Sequence, residues 1–475
     1  LMGAAMVLTA CGGGNTTAPT TGASSGGETQ TASESAESGK ITKTDIVVGQ
    51  ASDIVTLDPA GQQDTTSGVL MKHAYSTLLD VDNEGKVVPD LAESYEMKSD
   101  TEYVFKLRED ACFWDGTPVT AQDVKFSLDR AKGMPKTKSN TSKIEEVTVN
   151  GDHEVTIKLT EPYAAFKTIV TQHNLSILSE KAVTEAGDSY GDVDNLLGSG
   201  PFKVTEWVPN DHYTLVRNDN YWGEMPIATS ITCRVIPEGS ARTIALEAGE
   251  IDVVWSVDPT DCANVESNPD VKLLSQPSTG IDYVGMNTQK EKFSDKRVRQ
   301  AINYALDKQA FVDTIIEGRG LVANSYINAA IPGWTDEVEA YPYDPEKAKE
   351  LLAEAGYPDG FECSIFVNGD LRTRSAQILQ AQLADVGIKV DISTYEWGAL
   401  LDTLNAGEHE MFLLGWSNTS FDPDGSTYQL FYSGNHGATG NRAFFSNDKV
   451  DELILSAQRE SEESKRMELY KELQF

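Results

Sequence analysis

The sequence predicts an α/β protein: two regions in which strands alternate with helices, interrupted by one α+β insertion. Three patterns carry this. Strand-like and helix-like runs alternate from Thr44 to Leu79 and again from Gly198 to Trp255, an order that favours parallel pairing. The same alternation returns between Asp282 and Leu414. Between the first two stretches, at about 80–195, half-buried strands of alternating polarity enclose one well-capped helix, which reads as a compact unit of its own.

In chain order, Thr44–Gln50 reads as a first strand feeding the loop Ala51–Pro59, which Asp58-Pro59 closes. A helix is expected through Leu70–Leu79, then a hairpin-like turn at Asp82–Gly85. Glu102–Arg108 and Glu154–Thr160 alternate apolar and polar residues, as half-buried strands do. Thr120 is placed to cap a helix with Asp123 in its first turn, burying Val124, Phe126, Leu128 and Ala131. Beyond Gly198–Pro201, strands are expected at Phe202–Trp207, His212–Arg217, Ile231–Ile236 and Ile251–Trp255, with a short helix at Ala241–Ala248 stopped by Gly249.

The second region opens with a crossing strand at Asp282–Asn287. Asp295 and Asp307 precede helices, the second reaching Gly318. Asp344-Pro345 opens one of the clearest helices, since Asp suits the cap, Pro the first turn and Gly356 the stop. Strand Glu362–Val367, helix Arg374–Asp385, strand Ile388–Thr394, a helix from Trp397 and strand Met411–Leu414 follow. The last residues again read as helix around Arg466–Leu473, so the natural chain is expected to continue past Phe475.

A length of 475 residues allows two or three domains. Lys plus Arg number 39 against 74 Asp plus Glu, a net charge of −35, which makes nucleic acid and anionic lipid surfaces poor partners. Leu1–Ala10 is apolar or small but too short to span a bilayer, and reads as the tail of a signal peptide. Leu8-Thr9-Ala10-Cys11 resembles the lipobox of bacterial lipoproteins, which makes Cys11 a lipidated anchor. Residues 11–40 then form a flexible tether of roughly 30 Å. Cys112, Cys233, Cys262 and Cys363 lie far apart and are read as free thiols.

Groups suited to a small polar ligand are densest at Met411–Asn441. A strand delivers Gly415, which permits close approach, and Trp416, a flat apolar wall; Ser417, Asn418, Thr419 and Asp422 follow with hydroxyl, amide and carboxylate groups. An Asp-Pro-Asp turn is the alternative reading of residues 422–424. No GxSxG, HExxH, Walker loop or dinucleotide fingerprint is present, and the six histidines form no i, i+4 pair. The pattern therefore supports binding rather than catalysis, with no cofactor or metal.

Pro89–Ser94 with Phe105–Arg108 and Trp114–Val124, Gly198–Phe202 with Asn220–Gly223, Ser294–Ile302 and Ala348–Gly356 together resemble landmarks of the solute-binding proteins of peptide and nickel ABC importers, the oligopeptide/dipeptide-binding family. The resemblance implies a two-lobed, periplasmic-binding-protein-like fold (type II, cluster C) with an extra α+β domain inserted in the first lobe. It divides the chain into a first lobe at 41–79 and 196–279, the extra domain at 80–195 and a second lobe at 280–475, with the return to the first lobe missing. It also implies a monomer that closes over its ligand and delivers it to a membrane permease, at the outer face of the cytoplasmic membrane of a monoderm bacterium.

By the same resemblance Trp397 and Gly415-Trp416 are pocket-wall positions. An Asp three residues after the second Trp grips the peptide ammonium in dipeptide and oligopeptide members; here that position is Thr419, leaving Asp422 or Asp53 to supply the charge. Ser52 and Asp53 leave the first strand either to face the cleft or as a plain turn, and Tyr75 is placed to line the cleft or pack a helix. Thr279, Gly280 and Ile281 either offer backbone groups to an extended peptide or serve as a linker, and Arg372 and Arg374 either grip a carboxylate bidentately or stand on the surface at a helix start. Short peptides, including glutathione-like ones, are the expected ligands. A nickel chelate, haem or a sugar, or a sensing role without transport, are the alternatives.

Overall fold

The computed structural model describes residues 43–475; the leader, Cys11 and the tether expectation lie outside the described residues. Asp45–Gln50 is built into a five-stranded sheet. It pairs in parallel with Ser230–Val235 on one side and Val253–Val254 on the other, and His212–Arg217 and Phe202–Val208 extend the sheet antiparallel. Helix Gly239–Glu247 makes the crossover between the two parallel partners, and Arg242 secures it by donating to the carbonyls of Ile236, Pro237 and Ser256.

A second sheet runs in the order Gly280–Met286, Met411–Ser417, Phe361–Val367, Ile388–Thr394. Its first strand is antiparallel and stands at an edge, while the other three are parallel. Met411, Phe412, Leu413 and Leu414 are all buried, as expected of a strand covered on both faces. Helices Lys296–Ala305, Pro345–Glu354 and Gly369–Ala384 supply much of that cover through Val298, Ile302, Leu352, Leu379 and Leu383. Together the two sheet regions make the two lobes.

Between Asp45–Gln50 and Ser230–Val235 the chain builds a separate antiparallel sheet in the order Ala92–Ser99, Glu102–Leu107, Glu154–Leu159, Ile144–Gly151. Tyr103, Phe105 and Leu107 alternate inward against helix Ala121–Lys132. That helix carries the expected capping box: the Thr120 hydroxyl accepts from the Asp123 N–H, and the Asp123 carboxylate accepts from the Thr120 N–H. Fully buried Phe105 and Phe166 each contribute about 1.5–3 kcal/mol to this core. All four cysteines outside the leader are free.

The departures from expectation have local causes. The helix expected at Leu70–Leu79 runs instead over Thr65–Ala74, because the Asp64 carboxylate caps it from the Ser67 N–H; at Tyr75 the backbone turns extended and Leu79 joins a hairpin with Val87–Pro89. The strand at Ile251–Trp255 shortens to Val253–Val254. The helix after Asp307 stops at Ile315, before Gly318, and the one expected from Arg374 starts at Gly369. Asp422–Asp424 is more than a turn: Asp424 begins a helix reaching Phe431.

Candidate ligand cleft

The lobes meet through side chains from distant parts of the chain. Arg374 donates to both oxygens of Asp258 at 2.8 and 2.9 Å, Gln63 Nε2 to Gln429 Oε1 at 2.9 Å, and Gln429 Nε2 to Asn140 Oδ1 at 2.9 Å. Tyr163 OH donates to Asp424 Oδ2 at 2.6 Å.

At the centre of this seam stands Trp397. It opens helix Trp397–Asn405, whose cap Glu396 accepts from the Gly398 N–H. Its indole Nε1 donates across the seam to Asp64 Oδ1 at 3.4 Å. Asp64 Oδ1 also accepts from the Ser67 N–H, whereas Oδ2 is buried without a partner. Burial pushes the Asp64 carboxyl up, against the lowering by the Ser67 N–H.

Arg372 lies 5.9 Å from the Trp397 ring centre, a distance at which the cation is attracted by the ring face. Its Nη1 donates to Asn368 Oδ1, its Nη2 lies 3.6 Å from Asp282 Oδ1, and its Nε is buried without a partner. Gly415 makes that approach possible. A Cβ there would stand 2.8 Å from Asp282 Oδ1 and 3.3 Å from Arg372 Nη2. Tyr283, two residues into the crossing strand from Ile281, is pushed up to about 12 by burial and sits within electrostatic reach of both Arg372 and Arg442.

The candidates read from sequence divide accordingly. Trp397, Arg372 and Gly415 come together at the seam. Trp416 is half-buried on the neighbouring strand and donates its N–H to the Gly425 carbonyl. Ser417 is exposed opposite Gly280, and Ile281 pairs with Trp416. The Thr279 carbonyl accepts from the Asn418 N–H, and that of Gly280 from Asn328. Ser52 is half-buried, its carbonyl accepting from Gln50.

Six candidates are already occupied. The Asp53 carboxylate accepts from the N–H groups of Ile54 and Asn210 and from Trp207 Nε1, so it stabilises a loop of its own lobe. Tyr75 is buried and donates to the Leu57 carbonyl, a packing role. Asp422 is buried in an ion pair with Arg466. Asn418 is buried and ties the following turn through the Asp422 carbonyl and Ser426. Thr419 donates to Gln172 Oε1 at 3.1 Å, and Arg374 is held by Asp258. Asp53 and Asp422, the two acids offered in place of one at position 419, both have partners within the protein.

Sequence reading missed three charged groups at the seam: Asp64, Lys136 and Arg442. Burial pushes Lys136 down, and the nearby Arg442 adds to this. Only Asp64 left a local signal, as a capping residue before Thr65; the others are brought in by long-range packing.

Two α/β lobes that meet along such a seam are the architecture of a solute-binding protein. The chain belongs to the bacterial extracellular solute-binding proteins, family 5, whose model matches residues 86–438. It is 32% identical over 449 residues to the glutathione-binding protein GsiB of Escherichia coli (strain K12), covering 90% of this chain and 86% of that one. Among solved structures it resembles the ABC transporter-associated periplasmic binding protein DppA from Helicobacter pylori in complex with the peptide STSA, with 30% identity, a TM-score of 0.86 and coverage of 90% and 89%. The oligopeptide-binding protein AppA from Bacillus subtilis, in complex with a nonapeptide, gives 26% identity, a TM-score of 0.83 and coverage of 90% of each chain.

Proposed function

We propose that this protein captures short peptides outside the cell and delivers them unchanged to the permease of an ABC importer, held at the membrane by a lipid on Cys11. The single observation that carries this is the seam itself: Trp397 meets Arg372 and Asp64 and packs with Tyr283 of Gly280–Met286, a strand that among the described residues has a strand partner on one side only. An extended peptide is recognised by such an edge through its main chain, by an indole through apolar contact, and by fixed charges through its ends. The named relatives bind glutathione or peptides, which supports the same ligand class.

Native mass spectrometry of the protein purified without refolding tests the reading. A bound pool of short peptides is expected, released intact on denaturation. A metal chelate, haem or a glycan in their place, or a peptide returned cleaved, would overturn it.

A further inference from the structure

The lobes also touch through a set of contacts that involves neither Trp397 nor its charged neighbours. The inserted unit at about 80–195 is fastened to the first lobe, where Arg130 donates to the two oxygens of Asp58 at 3.0 and 2.6 Å. The chain beyond Met411–Ser417 is fastened to the second, where Arg442 Nε donates to Asn405 Oδ1 at 3.0 Å and the Thr288 hydroxyl to the Phe444 carbonyl at 2.8 Å. These two pieces engage each other directly. Phe421 is laid on Gly85, in the turn between Leu79–Val81 and Val87–Pro89, so closely that a Cβ on Gly85 would stand 2.5 Å from Phe421 Cδ1. The Ala164 N–H donates to the Gln458 carbonyl at 2.8 Å, and Arg459 pairs with Glu161. Tyr163 OH donates to Asp424 Oδ2 at 2.6 Å, with both side chains fully buried.

Phe421 reaches this position in a left-handed backbone, with φ +55°, which a bulky residue adopts only when its surroundings hold it there. It lies in the short loop joining strand Met411–Ser417, which carries Gly415 and Trp416, to helix Asp424–Phe431. A wall of the cleft and this contact are thus parts of one stretch of chain. The contact is made wholly between protein groups: the Asp424 carboxylate accepts from Tyr163, Gln458 and Tyr470, and the Phe421 ring lies against the bare Gly85 backbone. At Trp397, by contrast, Asp64 Oδ2 and Arg372 Nε are buried without partners.

We propose that residues 421–424 and the inserted unit form a clasp that holds the two lobes closed without a guest, with the Phe421 ring seated on Gly85 as its catch. Parting the lobes separates Tyr163 from Asp424, breaks the main-chain bond between Ala164 and Gln458 and lifts the ring off Gly85. Shutting them re-forms all three with no guest atom involved. The closed form is therefore already populated before capture, and a guest shifts that equilibrium further instead of creating a new shape. Release requires the clasp to be undone, so the inserted unit sets how long a guest is kept. This goes beyond the peptide-binding reading and does not depend on what the guest is.

Amide hydrogen exchange resolved to single residues tests this, because the Ala164 N–H is protected by a bond that exists only while the clasp is shut. Trp397→Ala weakens the cleft wall and yields protein that can be dialysed until native mass spectrometry shows no bound small molecule. In that empty protein the Ala164 amide is expected to exchange within about 2-fold of the wild type as purified, as for sites that do not couple. Phe421→Gly keeps the left-handed turn without strain and removes the ring; Tyr163→Phe removes one hydrogen bond to the Asp424 carboxylate. Each is expected to speed exchange at Ala164 about 10-fold or more, the range of one hydrogen bond to a charged group, while the amides of Glu102–Leu107 and Glu154–Leu159 in the same unit keep their rates. If circular dichroism shows that Phe421→Gly does not fold, Tyr163→Phe decides alone. Free exchange at Ala164 in the empty protein overturns the proposal. So does an unchanged Ala164 rate in the folded variants, or a rise spread evenly over the whole unit. None of these outcomes bears on peptide binding, which the retained pool tests separately.

Discussion

Two buried charge clusters in this protein have similar composition and opposite character. Around Asp422, Asp424 and Arg466, hydrogen bonds from Tyr163, Gln458 and Tyr470 all engage the Asp424 carboxylate, and the Arg466 guanidinium is paired with Asp422. Around Asp64, Lys136 and Arg442 no ion pair forms among the described residues, and Asp64 Oδ2 is buried without a partner. The first arrangement ties the start of helix Asp424–Phe431 to the last helix through an ion pair, whereas the second brings charged groups to the seam with no ion pair among the described residues. Charge and burial are thus poor guides to function; whether each group's partners are already present is a better one.

The largest test of this contrast is removal of one member of the ion-paired cluster. Asp422→Ala leaves Arg466 buried and unpaired, and is expected to cost about 3–5 kcal/mol in urea unfolding. Asp64→Asn should change unfolding by less than about 1 kcal/mol, since Asn is an equally good cap. Similar losses for both would dissolve the distinction.

A second test uses pH. Burial, reinforced by Asp422, pushes the Asp424 carboxyl up to about 6 from 3.8. A carboxyl raised on folding binds its proton more tightly in the folded state. Its stabilising contribution is complete below about pH 4 and is lost as pH rises through about 6. Asp424→Asn removes this titration while keeping an acceptor. Relative to that variant, the wild type should therefore lose about 1–3 kcal/mol between pH 4 and pH 7.5. A flat difference would mean that Asp424 does not titrate in this window.

Smaller effects fall on the cleft walls. Trp397→Ala removes the indole between Arg372 and Asp64, and should weaken binding of the retained peptides about 10-fold or more, read by calorimetry. Thr419→Asp places a carboxylate beside Gln172, and should change affinity for the retained peptides by less than about 3-fold. A large gain would show that position 419 still receives the ammonium.

What could be read from the sequence follows the range of the interaction. The Thr120–Asp123 capping box, the alternation of Tyr103, Phe105 and Leu107, and the Asp344-Pro345 helix start were all visible, because each is set within a few residues. So was the two-lobed α/β architecture, through the order of elements and the family landmarks. Of the cleft, Trp397, Arg372 and Gly415 could be picked out. Asp53 and Asp422 could not be excluded, because the groups that occupy them, Trp207 and Arg466, are contributed by remote segments. Arg442 was missed for the converse reason: its environment is assembled from Asn405, Tyr283 and Asp64, and nothing near it in sequence announces that it is buried.

The strand Gly280–Met286 lies at the margin of its sheet, with its inner side joined to Met411–Ser417; among the described residues no strand pairs with its outer side, where Asn328 and Ser278 engage Gly280. A guest laid along it would be gripped by amides that every peptide possesses. Side-chain identity in the middle of such a guest then matters little, and discrimination moves to its termini. A transporter fed this way would have a broad diet of sequences and a narrow tolerance for how those sequences begin.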